Sequence, residues 1–277
     1  MTILITTANG KVGQELARQL IAQGAPVKIG AHNVQKAAAS FGAARVVPFD
    51  YHDEASVSAA LDGVTHLYLA TPGDWPAEPE KRVIDIARSK SVTFAVKLSA
   101  MGVENTDLPL RQVERYLEAS GLGYTILRPS WFNQNFSTGQ AASIAQGILA
   151  EPSGDATTAF IDTRDIAAVA AAALTQEGHD GKIYGLTGGE LLSRYDVARI
   201  IGETIGRTVT YIPQTDEQFR EAMKPYLSPF YLELLSNLYA GVRAGWSSVI
   251  TDTVEQVLGR PPISFRQFAE DYRAAWL

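Results

Sequence analysis

The chain has 277 residues, 46% of them hydrophobic and 19% charged, and carries a net charge of −6. It has no cysteine, which excludes disulfides and thiolate chemistry, and its four histidines, His32, His52, His66 and His179, show no metal-ligand spacing. No basic block points to nucleic acid, and no apolar run approaches the roughly 20 residues that span a bilayer. The first residues lack the pattern of a signal peptide, so the expected compartment is the cytoplasm, with neither a membrane nor a nucleic acid as direct partner.

In chain order, apolar residues 2–7 predict a strand and 11–23 an amphipathic helix ended by Gly24. Strands follow over 26–29, 45–48, 66–70, 92–98 and 124–127. Helices separate them over 35–41, 53–61, 78–89 and 110–119. Several of these strands are continuously apolar, as in a parallel sheet covered by helices on both faces. The expected fold is therefore α/β, a Rossmann-type doubly wound parallel sheet. Short strands are expected at 160–161, 183–186 and 209–212. An Ala-rich helix, with Asp165 as its N-cap and Arg164 in an ion pair, is expected over 165–174, and another helix over 195–204. Residues 216–242 read as helical and aromatic-rich, interrupted by Pro225 and Pro229. The predicted organisation is a nucleotide-binding domain over 1–182 and a smaller, mostly helical cap over 183–277.

The most informative stretch is Thr7-Ala-Asn-Gly-Lys-Val-Gly13, between the first strand and the first helix. Amides at a helix start have no intrahelical partner and attract a diphosphate. Gly10 lets the backbone approach the phosphates and Gly13 lets the helix pack on the strand, but Thr7 stands where a third glycine belongs. If that position needs a positive φ, a β-branched residue is strained there. Thr7, Asn9, Gly10, Lys11, Val12 and Gly13 are accordingly candidate cofactor residues.

Ligands of open α/β sheets sit beyond the carboxyl ends of the strands. After the second strand there is no acid between Val27 and Lys36. His32, Asn33 and Lys36 stand there instead, which favours NADP(H) over NAD(H). After the third, Asp50 can accept from the adenine amino group and Tyr51 can offer a ring face. Ala70, Thr71 and Pro72 let the backbone run past a dinucleotide, and Lys97 and Pro129 complete the cofactor set. Met101, Gly102, Trp131, Phe132 and Asn133 are candidate substrate contacts, with Ser99 to Gly102 forming one wall and Pro129 to Asn133 another.

No tyrosine has a lysine four residues on, so the usual proton relay of short-chain dehydrogenases is missing, and the helix expected to hold it carries Leu110, Arg111 and Glu114. No catalytic residue is fixed by the sequence. Ser99, Trp131 and Asn133 are the candidates, and no metal is expected.

With these segments in hand the chain resembles the NmrA-like branch of atypical short-chain dehydrogenases. The resemblance runs through Ile3–Gly13, Lys97-Leu-Ser-Ala-Met-Gly102, Glu114, Ser120–Pro129, Asp162-Thr-Arg-Asp165, Tyr184-Gly-Leu-Thr-Gly188, Thr251–Glu255 and Gly259-Arg-Pro-Pro262. The stretch Arg128–Phe136 is further similar to the festuclavine dehydrogenase-type reductases. The resemblance implies a Rossmann domain binding NADP(H) or NAD(H), and one of two roles. The first is hydride delivery to a small electrophile such as a quinone, an imine or iminium carbon, or an activated double bond. The second is a non-catalytic sensor of the nucleotide that regulates a protein partner. Relatives are often homodimers. Two departures stand out: Thr7 replaces a glycine, and His32 replaces the arginine that many members direct at the 2′-phosphate.

Overall fold

The computed structural model describes residues 1–71 and 75–277, so the Pro72 assignment lies outside the described residues. The elements run, in order, β1 (Ile3–Ile5), α1 (Lys11–Ala22), β2 (Val27–Ala31), α2 (Val34–Phe41), β3 (Val46–Pro48), α3 (Glu54–Ala60), β4 (His66–Leu69), α4 (Glu78–Arg88), β5 (Phe94–Leu98), α5 (Pro109–Glu118) and β6 (Gly123–Pro129). They continue with α6 (Ala141–Ile144), β7 (Ile148–Glu151), α7 (Thr163–Thr175), β8 (Lys182–Leu186), α8 (Arg194–Ile205), β9 (Thr210–Pro213), α9 (Asp216–Met223), α10 (Pro229–Arg243), α11 (Thr253–Leu258) and α12 (Phe265–Asp271). They form two compact units, Met1–Pro129 with Thr163–Gly185, and Ser130–Asp162 with Leu186–Leu277.

The first unit is built on a sheet of order β3-β2-β1-β4-β5-β6-β8. The pairs β1–β2, β1–β4, β2–β3, β4–β5 and β5–β6 are all parallel. The strand order turns back between β1 and β4, the switch point at which such sheets bind ligands. Ile3, Leu4 and Ile5 have no exposed surface, as a strand covered by helices on both faces requires. On one face, Leu67, Leu69 and Ala95 pack with Val83, Ile84 and Ala87 of α4 and with Val113 and Leu117 of α5. Elsewhere in the unit α1 packs on α7, whose alanines allow close approach, and Gln19 Nε2 donates to the Arg164 carbonyl at 3.1 Å. The short helices are capped by the expected chemistry. Asn33 accepts from the Lys36 amide to start α2, and Asp53 from the Ala55 and Ser56 amides to start α3.

Four sequence expectations shift. Residues 160–161 form no strand, and Ile161 makes only an isolated bridge with Phe132. The Ala-rich helix α7 starts at Thr163, which puts Asp165 inside its first turn, fully buried, rather than at the N-cap. An acid suits either place, because both face the positive end of the helix dipole. Residues 183–186 do form a strand, β8, and it lies beside β6 as the seventh strand of the large sheet. Finally, no element was expected over 148–151, 253–258 or 265–271, where β7, α11 and α12 form.

In the second unit β7 and β9 pair in parallel. The prolines act as expected: α9 ends at Met223, and Pro229 occupies the first turn of α10 behind a Ser228 cap. Phe136, Phe160, Phe265, Phe268 and Trp276 make an aromatic core, and the Trp276 indole N–H donates to the Phe136 carbonyl at 2.9 Å. Within this unit Arg194 and Glu151 form a buried ion pair. Ser153 and Gln140 each donate to the same carboxylate at 2.7 Å, and the Arg194 guanidinium lies 4.7 Å from the Phe160 ring centroid. Burial by itself would raise the Glu151 carboxyl, but Arg194, Ser153 and Gln140 outweigh it and hold it below the ordinary carboxylate range.

A buried pair contributes little net stability, yet breaking it leaves a bare charge. Arg194→Leu is expected to lower the urea-unfolding free energy by about 3–5 kcal/mol, and Arg194→Leu with Glu151→Met to recover most of that loss. Because the folded carboxyl is depressed, its stabilisation is present above the unfolded value of about 4.3 and is lost as pH falls below it. Stability that is equal in the single variant and wild type would contradict this account.

Candidate functional site

The turn before α1 is the best-defined part of the site. Gly10 is the N-cap of α1, makes no side-chain cap, and no acid stands in the first helical turn. The leading amides of α1 are therefore left without a side-chain cap and suit a diphosphate. Thr7 has φ +50°, the one non-glycine residue at positive φ among the described residues. Its carbonyl accepts from the Gly10 amide at 2.8 Å. A Cβ built on Gly13 would lie 2.4 Å from that same oxygen, and one on Gly10 3.2 Å from it. Gly13 is thus required by where the Thr7 carbonyl points, whereas a side chain at Gly10 would meet it only as a tight contact. Thr7 itself bears a left-handed strain of order 1–2 kcal/mol, the cost a glycine there would avoid. Asn9, Gly10 and Lys11 are exposed, while Val12 and Gly13 are buried.

Behind the turn, Thr6 ties three strand ends together. Its Oγ1 donates to the Tyr68 carbonyl at 2.9 Å and accepts from the Ala70 amide at 3.2 Å. The Tyr51 hydroxyl donates to the Ala70 carbonyl at 2.6 Å and lies 2.9 Å from Thr6 Oγ1. Tyr51 is buried, edge-on to Phe49 and Trp75, and burial together with the Glu80 carboxylate pushes its phenol well above the ordinary range. Its ring is occupied by these contacts, and its hydroxyl braces the strand ends. Ala70 is buried and Thr71 is half-buried just after β4.

At the ends of β2 and β3, the Phe49 amide donates to the Ala31 carbonyl at 3.0 Å, which brings the following loops together. His32 Nδ1 lies 3.3 Å from Asp50 Oδ2, with the imidazole largely exposed. Asn33 is engaged as the α2 cap, and Lys36 is exposed.

Lys97 and Ser99 carry two buried charge systems. Lys97 Nζ donates to Glu80 Oε1 at 2.9 Å and to the Leu98 carbonyl at 2.6 Å, and neither member of the pair is exposed. Ser99 is buried beside the Glu114 carboxylate without closing a full hydrogen bond to it. Arg128 donates to both Glu114 oxygens, at 3.0 and 2.6 Å, and Arg111 adds a third bond at 2.9 Å. Burial would raise Glu114, but Arg128, Ser99 and Arg111 hold it below the ordinary range. The Met101 amide donates to the Pro129 carbonyl at 3.0 Å, and Gly102 turns the chain with φ +90°.

Trp131, Phe132 and Asn133 belong to the second unit. Trp131 and Phe132 are half-buried, and the Trp131 ring lies 5.0 Å from Tyr239. Asn133 is fully buried, and its amide donates to the Ile161 carbonyl at 2.8 Å. Asp162 accepts from Gln134 at 2.8 Å. A surface groove of about 640 Å³ also lies in this unit, along α8 and β9. It contains none of the candidate residues, and its Arg199 and Glu203 pair with each other at 3.0 Å. Among the described residues no group of carboxylates and histidines could hold a metal, and no helix is long and apolar enough to cross a membrane.

Sequence inspection missed Glu80 and the part Glu114 plays. Glu80 was legible: it sits on the inward stripe of α4 with Val83, Ile84 and Ala87, where a lone acid needs a buried cation.

The NAD(P)H-binding family matches residues 7–177, from the strained turn to just past α7. The chain belongs to that family. This NAD(P)H-binding protein is 31% identical to (4-alkanoyl-5-oxo-2,5-dihydrofuran-3-yl)methyl phosphate reductase of Streptomyces griseus, over 99% of each chain. It is 30% identical to agroclavine dehydrogenase of Claviceps fusiformis, over 100% of this chain and 99% of that one. The solved NADPH-dependent quinone oxidoreductase of Escherichia coli, complexed with NADPH, superposes with a TM-score of 0.86 at 26% identity, covering 98% and 99% of the two chains. The chain is an NAD(P)H-dependent oxidoreductase with the Rossmann-like fold of these relatives.

The turn geometry sets opposite outcomes for two variants. Gly13→Ala forces a methyl against the Thr7 carbonyl and is expected to cost about 1–3 kcal/mol of stability and to abolish coenzyme binding. Thr7→Gly relieves the left-handed strain and is expected to bind coenzyme at least as tightly as wild type. Denaturation and nicotinamide-fluorescence titration check both. A Gly13→Ala protein with wild-type affinity would show that the turn does not hold the coenzyme.

Proposed function

We propose that the chain passes hydride from NADP(H), in preference to NAD(H), to a small electrophile without a tyrosine–lysine proton relay. The acceptor class is a quinone, an imine or iminium carbon, or an activated double bond. The observation that carries this reading is Glu114. On α5, the helix expected to hold the relay, stands a buried carboxylate clamped by Arg128 and Arg111 and kept ionised. An ionised carboxylate cannot donate a proton, and Ser99 beside it is a weak acid. Acceptors that need no enzymic proton fit such a site. An iminium carbon loses its charge on accepting hydride, and quinone reduction gives a stabilised anion that water can protonate.

The bound coenzyme supplies the hydride. Amides around Gly10, with Thr7, Asn9, Lys11, Val12 and Gly13, hold its diphosphate. His32, Asn33 and Lys36 face the 2′-phosphate, and Asp50 faces the adenosine. Ala70, Thr71 and Pro129 border the backbone path, with Tyr51 and Lys97 bracing it from behind. Met101, Gly102, Trp131 and Phe132 contact the acceptor, and Asn133 supports that segment from the interior. Catalysis then rests on proximity and on exclusion of water. Two relatives support this reading by name, one a (4-alkanoyl-5-oxo-2,5-dihydrofuran-3-yl)methyl phosphate reductase and the other an NADPH-dependent quinone oxidoreductase.

The regulatory alternative calls for a broad apolar face over 216–242. There Tyr226 and Phe230 are exposed, whereas Phe219 and Tyr239 are buried.

Trp131→Ala is expected to lower kcat/KM for a quinone by more than about tenfold while the coenzyme Kd moves by less than about threefold. Equal losses in both would argue against an acceptor contact. Ser99→Ala is expected to keep turnover within about tenfold, since loss of a true general acid costs about 10²–10⁴. A loss in that larger range would identify Ser99 as the proton donor.

A further inference from the structure

We propose that Asp50 is the residue that sets coenzyme choice, acting as a brake on NADP(H) by engaging His32. The inference rests on the coenzyme reading given above. The β2–β3 pairing in register Ala31↔Pro48, continued by the bond from the Phe49 amide to the Ala31 carbonyl, sets the two loops side by side. Asp50 is then fixed from its own loop, because its Oδ1 accepts from the His52 amide at 2.9 Å. Its other oxygen is the one 3.3 Å from His32 Nδ1. The carboxylate is held by a backbone amide, and the imidazole is 84% exposed.

Of the other groups on these loops, the exposed His52 imidazole lies 5.5 Å from the Trp75 ring. Asn33 is engaged as the α2 cap, Asp53 is engaged as the α3 cap, and Lys36 stands exposed on α2.

The two coenzymes differ here only in a 2′-phosphate against a 2′-hydroxyl. A phosphate monoester carries close to two negative charges at neutral pH. It is attracted by His32 and Lys36 and repelled by Asp50, which also competes for His32. A ribose hydroxyl has the opposite interest, since a carboxylate is a good acceptor for it. Selectivity is a difference between affinities, and a fixed repulsive group shapes it as much as an attractive one. With both groups on one site, the wild-type protein binds both coenzymes, NADPH the tighter of the two by a modest factor.

The experiment is an equilibrium titration of wild type, Asp50→Asn and His32→Leu with NADPH and with NADH, followed by nicotinamide fluorescence in the absence of acceptor. Asp50→Asn keeps the Oδ1 acceptor for the His52 amide, and thermal denaturation confirms that each variant is folded. Asp50→Asn is expected to tighten NADPH about five- to tenfold and to weaken NADH about two- to threefold, so the two affinities move in opposite directions. His32→Leu is expected to weaken NADPH by about tenfold and to leave NADH within about twofold. If wild type binds both coenzymes and Asp50→Asn shifts them equally or not at all, the selectivity proposal fails and the coenzyme reading stands. If folded wild type binds neither, the coenzyme reading fails and the proposal falls with it.

Discussion

The direction of one carbonyl governs how β1 passes into α1. Thr7 leaves β1 in the left-handed region, and its oxygen then points at the start of α1. The Gly10 amide donates to it, and Gly13 can pass it only because it has no side chain. The helix therefore begins close against the strand, with its leading amides uncapped by any side chain. A β-branched residue is a poor occupant of that conformation, so the surrounding structure has to hold it there. Thr6, one residue earlier, does much of this holding through its bonds to the β4 end and to Tyr51. Strain at the turn and rigidity behind it are two sides of one arrangement.

The charges inside the first unit follow a related logic. Lys97 with Glu80, and Glu114 with Arg128 and Arg111, fix the ends of β5 and β6 to α4 and α5. Buried pairs of this kind add little stability over apolar packing. Their effect is to specify geometry and, at Glu114, to keep a buried carboxylate ionised. On the proposed reading, such a site serves acceptors whose reduction makes few demands on acid catalysis.

Much of the fold was legible because hydrophobic periodicity and breakers coincide. The alternation of apolar runs and amphipathic stretches from Ile3 to Pro129 locates the strands and helices of the first unit, and Pro225 and Pro229 mark the gap between α9 and α10. The short elements β7, α11 and α12 were not legible, because four to seven residues carry too little period to register. Strand neighbours were also beyond reach: nothing local in Lys182–Leu186 says that it joins the large sheet beside β6. At the site, the glycines announced the turn, but only the backbone shows that Thr7 takes the positive φ. The pairing of His32 with Asp50 and of Lys97 with Glu80 joins residues 17 or 18 positions apart, and neither contact has a local signature. Tyr51 illustrates the reverse case, since a tyrosine at a strand end reads as a ligand contact until its hydroxyl is seen bonded inward.

The account depends on the amides of the first turn of α1 meeting a diphosphate. Its most direct test is the ¹⁵N–¹H correlation spectrum of the labelled protein during addition of NADPH, with the Gly10, Lys11 and Val12 amides assigned. The account predicts saturable shifts at these amides that are larger than those of amides on α11 and α12. Unchanged Gly10, Lys11 and Val12 signals at millimolar NADPH would contradict it.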